Sequence, residues 1–305
     1  MTDLNIKKSD LVGLKGKVVV ITVRVCSHSC YTTGGSSGIG LATAQLLLSL
    51  GAQVVVGDTN APPEALHATF LKTDVRVWAD QVALFNKAIE THGVIDHVFA
   101  NAGVAKTTSL IDDELDSNGN LKAPDLITYN VNLIGCMYTT RLGVFHLKKN
   151  PKGGSIVVTG SACSYQGFSV VDYCTAKHGV LGLVRSVKAQ LPPALNIRIN
   201  CLAPEWTDTG LVKSTFFRSL DVPVQGPEVV ALSAALCMAD GARNGQLILS
   251  KEGKFKELEG GYMPWLVTQT GGESVSIEAA LAKLQLKIKE VAEAPDAEAG
   301  AEGGV

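Results

Sequence analysis

The chain has 305 residues, of which 46% are hydrophobic and 18% charged, enough material to bury roughly three quarters of its unfolded surface around a large core. Its 31 glycines against 11 prolines point to many tight turns and exclude collagen-like and low-complexity chains. With 27 basic and 29 acidic residues the formal net charge is -2, so no global field exists to hold nucleic acid or an anionic membrane, and a small molecule is the expected partner.

Residues 1–17 carry no apolar segment followed by a small-residue cleavage site, so no secretory signal is predicted. No apolar run approaches the roughly 20 residues that cross a bilayer, and a cytoplasmic location is expected. The seven cysteines, at 26, 30, 136, 163, 174, 201 and 237, read as buried reduced thiols. Cys26, His28 and Cys30 are close enough to suggest a metal, but no second Cys/His pair stands nearby, and no metal site is assigned.

In chain order, β-branched runs alternate with stretches of helical spacing. Val18–Ile21 reads as a strand; the glycine-rich turn Thr33–Gly40 opens a helix over Gly38–Ser49; Gln53–Gly57 and Ala68–Lys72 read as strands. A helix over Trp78–Thr91, a strand over His97–Ala100, a helix over Pro124–Lys149 and a strand over Ser155–Thr159 follow. A helix over Tyr173–Gln190, a strand over Ile197–Leu202, a helix over Pro227–Met238 and a strand over Gln246–Leu249 complete the series. Near-continuous apolar strands in strict alternation with helices predict an α/β domain, a doubly wound parallel sheet covered on both faces, over residues 10–262. A tail over 263–305 is expected to hold a loosely attached helix near 276–292 and a disordered end from Glu293.

The glycine turn at the start of a helix offers free amides and a helix dipole to a phosphate. Asp58 closes the next strand 18 residues after Gly40, where a carboxylate can accept hydrogen bonds from ribose hydroxyls and repel an extra phosphate. No Lys or Arg occurs from Gly34 to Gly40. Both features favour NAD over NADP.

Tyr173 and Lys177 are four apart in a helical stretch and share one face. A neighbouring ammonium stabilises a phenolate, so the pair can act as a general base toward an alcohol or a general acid toward a ketone. Ser161 follows a strand and precedes Tyr173 by 12 residues; its hydroxyl is the candidate that steadies a substrate oxygen, with Ser164 as the alternative.

Five motifs in this order resemble the short-chain dehydrogenase/reductase family, over about residues 14–250. They are Thr33-Gly34-x-x-x-Gly38-Ile39-Gly40, Asp74-Val75, Asn101-Ala102-Gly103, Asn130-Val131-Asn132-Leu133 and Tyr173-x-x-x-Lys177. The overall wording of the sequence, including residues 154–182, is most similar to fungal members related to 15-hydroxyprostaglandin dehydrogenase. The resemblance implies a Rossmann-like fold, interconversion of a secondary alcohol and a ketone, and a small apolar substrate. It implies a homodimer or homotetramer packed through the helices at 124–149 and 173–190. It implies Asn132, Ser161, Tyr173 and Lys177 as the catalytic group. It implies cofactor contacts from Gly34, Ser36, Ser37, Gly38, Ile39, Gly40, Asp58, Asp74, Val75, Asn101, Ala102, Gly103, Tyr173, Lys177, Pro204 and Thr209.

Two features depart from that pattern. Glu205 stands where the family usually has glycine after Pro204, so the backbone is expected to diverge if a positive φ is needed there. Val23–Thr32 adds roughly ten residues between the first strand and its glycine turn, where a pyrophosphate should lie. These features leave a catalytically impaired dinucleotide-binding or scaffold protein as the rival expectation. Beyond Thr209, Leu211, Val212, Phe216, Phe217 and Leu220 suggest an apolar lid.

Overall fold

The computed structural model describes residues 1–23, 38–209, 217, 219–269 and 286. The chain divides into a unit of Thr2–Leu258 and a unit of Met1 with Glu259–Val305. The described residues of the first unit form nine strands: β1 (Thr2–Leu4), β2 (Val18–Thr22), β3 (Gln53–Asp58), β4 (Thr69–Lys72), β5 (His97–Ala100), β6 (Gly154–Thr159), β7 (Ile197–Pro204), β8 (Leu247–Lys251) and β9 (Lys254–Glu257). They form one sheet in the order β1-β9-β8-β7-β6-β5-β2-β3-β4.

The seven strands β2 to β8 pair in parallel and carry the apolar runs of the alternation. β9 returns antiparallel on β8, and β1 adds antiparallel on β9. β1 and β9 were not expected, because TDL and KFKE carry too little apolar pattern to announce a strand. The hairpin turn between β8 and β9 is Glu252-Gly253, both at positive φ (49° and 79°), the backbone of a two-residue turn that follows strand twist.

Helices cover both faces: α1 (Gly38–Ser49), α2 (Trp78–His92), α3 (Ile127–Tyr129), α4 (Cys136–Leu147), α5 (Val171–Gln190) and α6 (Pro227–Ala239). Because side chains alternate along a strand, Val20 points to one face and Val19 and Ile21 to the other. Val20 joins Leu84 and Phe85 of α2, Leu142 of α4 and Val180 of α5 in one apolar layer. Val19 and Ile21 join Leu47 of α1 and Val230 of α6 in the second. Leu84 and Phe85 are wholly buried, and truncating either to alanine would cost about 3 kcal/mol. In the second unit, α7 (Glu259–Gln269) is helical across Pro264. The helix expected at 276–292 and the end from Glu293 lie outside the described residues.

From β2 the chain moves outward to β3 and β4, and from β5 it moves the opposite way to β6, β7 and β8. The reversal leaves a crevice at the carboxyl ends of β2 and β5, where open α/β sheets bind ligands.

Candidate active site

A cleft of about 520 Å³ opens at this crevice. It gathers Gly38 and Ile39 from the first turn of α1, Asn101 and Gly103 after β5, and Ser161 after β6. Tyr173 and Lys177 of α5 and Pro204, Glu205 and Thr209 at the end of β7 also line it. Segments far apart in sequence thus converge because each leaves the same edge of the sheet.

α5 begins at Val171, which puts Tyr173 and Lys177 one turn apart on the same face. Lys177 Nζ lies 5.7 Å from the Tyr173 ring centre and donates to the Thr159 carbonyl at 2.7 Å. Burial pushes the Lys177 ammonium down, while nearby thiols, Cys136 foremost, oppose the shift. Tyr173 is only partly covered as a residue, but its hydroxyl lies deep. Burial pushes that phenol up to about 12, against a hydrogen bond from the Ser161 hydroxyl that favours ionisation. The stabilised phenolate expected from the pair is therefore outweighed by desolvation, and Tyr173 stands as a phenol with a proton to give.

Ser161 and Ser164 take different positions. Ser161 lines the cleft and caps the short 3-10 turn Ala162–Ser164 by accepting from Cys163 N at 3.2 Å. Ser164 is buried, and its Oγ accepts from Ser161 N at 3.1 Å. It holds the backbone of Ser161 rather than facing the cleft.

Asn132 lies in a π-helical turn, Asn130–Gly135, between α3 and α4. Its Oδ1 accepts from Val104 N at 2.8 Å and its Nδ2 donates to Val104 O at 2.9 Å, so the amide clamps the turn that follows β5. A Cβ on Gly103 would stand 3.4 Å from Asn132 Oδ1 and 3.9 Å from Lys177 Nζ, which brings Asn132, Gly103 and Lys177 together. Asn101 Oδ1 accepts from Thr159 Oγ1 at 3.0 Å, and Asn101 N donates to Thr22 Oγ1 at 3.2 Å. Ala102 packs with Val75, Val104 and Val131.

The remaining predicted residues form a path along the strand ends. Gly38 has φ of 71°, and a Cβ there would come within 3.0 Å of Thr209 Cβ; one on Gly40 would stand 2.7 Å from Asn101 Nδ2. Only glycine lets the first turn of α1 approach this closely. Asp58, buried at the end of β3, accepts from Asn60 N at 3.1 Å. Burial works to raise the Asp74 carboxyl, but hydrogen bonds from Arg76 win and hold it below the usual carboxylate range. Val75 is fully buried. This donor set, with glycines at close approach and an acid at the second strand end, fits a dinucleotide. Gly34, Ser36, Ser37, Cys26, His28, Cys30 and the rest of the added segment beyond Val23 lie outside the described residues. So do Leu211, Val212 and Phe216.

Glu205 does not need the backbone freedom of the glycine it replaces. Among the described non-glycine residues, positive φ occurs at Asn196, Asp221 and Glu252 only. Glu205 N donates to Ser250 O at 3.0 Å, prolonging the β7–β8 pairing, and its carboxylate pairs with Lys251 at 3.0 Å. The expected divergence therefore carries no left-handed strain.

Sequence reasoning gave no role to Asp172. Buried beside Tyr173, it accepts from Tyr173 N at 2.9 Å and from Thr108 N at 3.1 Å, tying the start of α5 to the loop after β5. Its position next to Tyr173 was the available signal. No cluster of three metal-ligating side chains occurs among the described residues, and the five described cysteines are all buried.

The short chain dehydrogenase profile matches residues 29–218. The chain belongs to the short-chain dehydrogenase/reductase family. The match opens downstream of β2, inside the added segment. A short-chain dehydrogenase/reductase of Acremonium egyptiacum is 43% identical over 266 residues, covering 85% of this chain and 86% of the relative. A (+)-borneol dehydrogenase of Salvia officinalis is 28% identical over 265 residues, covering 82% and 94%. The structure of a 3-ketoacyl-(acyl-carrier-protein) reductase from Brucella melitensis complexed with NADH is similar in fold, with a TM-score of 0.64 at 24% identity, over 77% of this chain and 97% of that one. The family comprises oxidoreductases that use nicotinamide dinucleotides and small-molecule substrates. No described helix is long and apolar enough to cross a membrane.

Proposed function

We propose that this oxidoreductase interconverts a ketone and a secondary alcohol, with NAD used in preference to NADP. The observation that carries the reading is the convergence of Ser161, the Tyr173 hydroxyl and Lys177 in one cleft at the topological reversal. The name of the borneol relative, a secondary alcohol dehydrogenase, supports it.

Gly38, Ile39 and Gly40 with Asp58, Asp74, Val75, the Asn101–Gly103 turn, Pro204 and Thr209 would hold the dinucleotide. Asp58 would accept from the ribose hydroxyls and disfavour a 2′-phosphate. A nicotinamide held by these residues would supply the hydride chemistry of the reaction in either direction. The Ser161 hydroxyl holds the substrate oxygen by hydrogen bonding as negative charge gathers on it. Tyr173 Oη delivers its proton to that oxygen, a direction suited to a phenol that burial keeps protonated. Lys177, fixed on the Thr159 carbonyl, offsets the phenolate left behind. Asn132 acts as a positioning residue through Val104. Exposed Met137 and Phe145 on α4 support a homo-oligomer.

The test is cofactor-linked turnover of a ketone panel by wild type and Tyr173→Phe, with cofactor binding measured separately. Loss of turnover by roughly 10²- to 10⁴-fold with binding retained is expected; undiminished turnover would remove Tyr173 from the chemistry. In parallel, Asp58→Ala should narrow the preference for NADH over NADPH.

A further inference from the structure

One wall of the cleft is built from three aromatic rings contributed by separate segments. Phe168 comes from the stretch before α5, Trp206 from just past β7, and Phe217 from farther along the chain. Phe168 and Trp206 meet edge to face, with centres 6.4 Å apart at 83°, and Trp206 lies 4.3 Å from Phe217 at 33°. Phe168 and Trp206 nevertheless remain 39% and 38% exposed, although such rings have much to gain from burial. The uncovered surface faces the same cleft as Ser161 and Tyr173.

The charges on the cleft point the same way. Lys177 and Glu205 are the charged residues among the described lining, and each is engaged, by Thr159 O and by Lys251. Lys177 is committed to the floor of the cleft, and Glu205 opposes an anion. A rigid ring can cover the wall without freezing torsions, whereas an open chain loses rotamer freedom along its length. Ring-on-ring contact also adds attraction beyond area alone.

We infer that the substrate is an uncharged ketone or secondary alcohol whose reacting carbon lies in or beside a rigid ring system, seated against Phe168, Trp206 and Phe217; this rests on the carbonyl-reducing reading of the cleft. The wall selects the ring, and Ser161 and Tyr173 meet the oxygen.

The experiment compares reduction of 1-tetralone and 2-decanone, ketones of equal carbon count, by wild type, Trp206→Ala, Trp206→Phe and Phe168→Ala. Binding of 1-tetralone is followed by calorimetry with oxidised cofactor present, so that no turnover occurs. Wild type should favour 1-tetralone in kcat/KM by about tenfold or more. Trp206→Ala should abolish most of that ratio, mainly through KM, and weaken calorimetric binding by about tenfold; Trp206→Phe should recover part of both. Equal efficiency on the two ketones, or a preference that survives both alanine variants, overturns the inference while leaving the reductase reading intact. Ring-dependent binding with neither ketone reduced overturns the reductase reading and keeps the ring site.

Discussion

The segment from β6 into α5 and the loop over residues 105–126 both line the cleft, yet they are held in opposite ways. In the first, Ser161, Ser164, Thr159 and Lys177 are joined by short hydrogen bonds, and the α5 face behind them is buried through Ala176, Val180 and Val184. In the second, Leu110, Ile111, Leu115, Leu121 and Leu126 are 53–92% exposed. Its own cross-links include a bridge between Leu115 and Leu121, a turn in which Asp116 Oδ1 accepts from Asn118 N and Asn120 N, and exposed ion pairs of Lys106 with Asp125 and Lys122 with Glu114; exposed ion pairs contribute little. Its roots are fixed by Asp172 on Thr108 N and Thr128 on Lys106 O. Groups that must meet a reacting oxygen at fixed distance sit on packed elements, and the loop is fastened only where it enters and leaves the cleft.

Among changes that probe this contrast, breaking that fastening should give the largest effect. Asp172→Ala leaves two amides without their acceptor, at a cost of about 1–3 kcal/mol in stability. It should lower kcat/KM by roughly tenfold and speed proteolytic cutting within 105–126, read by mass spectrometry, because a 1 Å misplacement beside the chemistry is costly. A next, smaller effect tests the packed body through pH. His97, buried on β5 with Ser155 Oγ at 2.8 Å, has its pKa pushed down to about 3, by burial first. The unfolded chain binds a proton below about 6.5 and the folded one does not, so stability is lost as pH falls from about 6.5 toward 3. The loss should reach about 2 kcal/mol at pH 5, and His97→Asn should flatten it in urea melts compared across that window. The smallest effect belongs to the loop crest: Ile111→Ser should shift stability by no more than about 0.5 kcal/mol and leave kcat unchanged. A larger loss of stability would mean that the crest is packed after all.

The parallel core was legible because strands buried on both faces spell themselves as β-branched runs, as Val18–Thr22 does. β1 and β9 were not, since they are held by backbone pairing at a sheet edge and their side chains carry no strong period. The helix expected over 124–149 was legible as helical, but its start at Ile127 and its π turn were hidden, because one added residue blurs a 3.6-residue repeat without erasing it. At the site, motif order brought Ser161, Tyr173 and Lys177 together on the page before the fold did so in space. The upward push on the Tyr173 hydroxyl was not legible, because it depends on burial supplied by other segments. The ordinary backbone at Glu205 was equally hidden, since it follows from the pairing with Ser250. The aromatic wall draws on residues 168, 206 and 217, which share no local pattern.

The π turn at Asn130–Gly135 also sets a reading frame. Each residue advances a helix by about 100°, so one extra residue offsets everything after it from everything before it. Asn132 can thereby reach Val104 while Thr139, in α4, donates to Gln81 Oε1 at 2.7 Å and Gly135 presses against Val75. Deleting Leu133 would restore an even helical count and swing one of these two sets out of register. The number of residues between Asn132 and Thr139 is therefore fixed by contacts on both sides of the turn, whatever the identity of the residues between them.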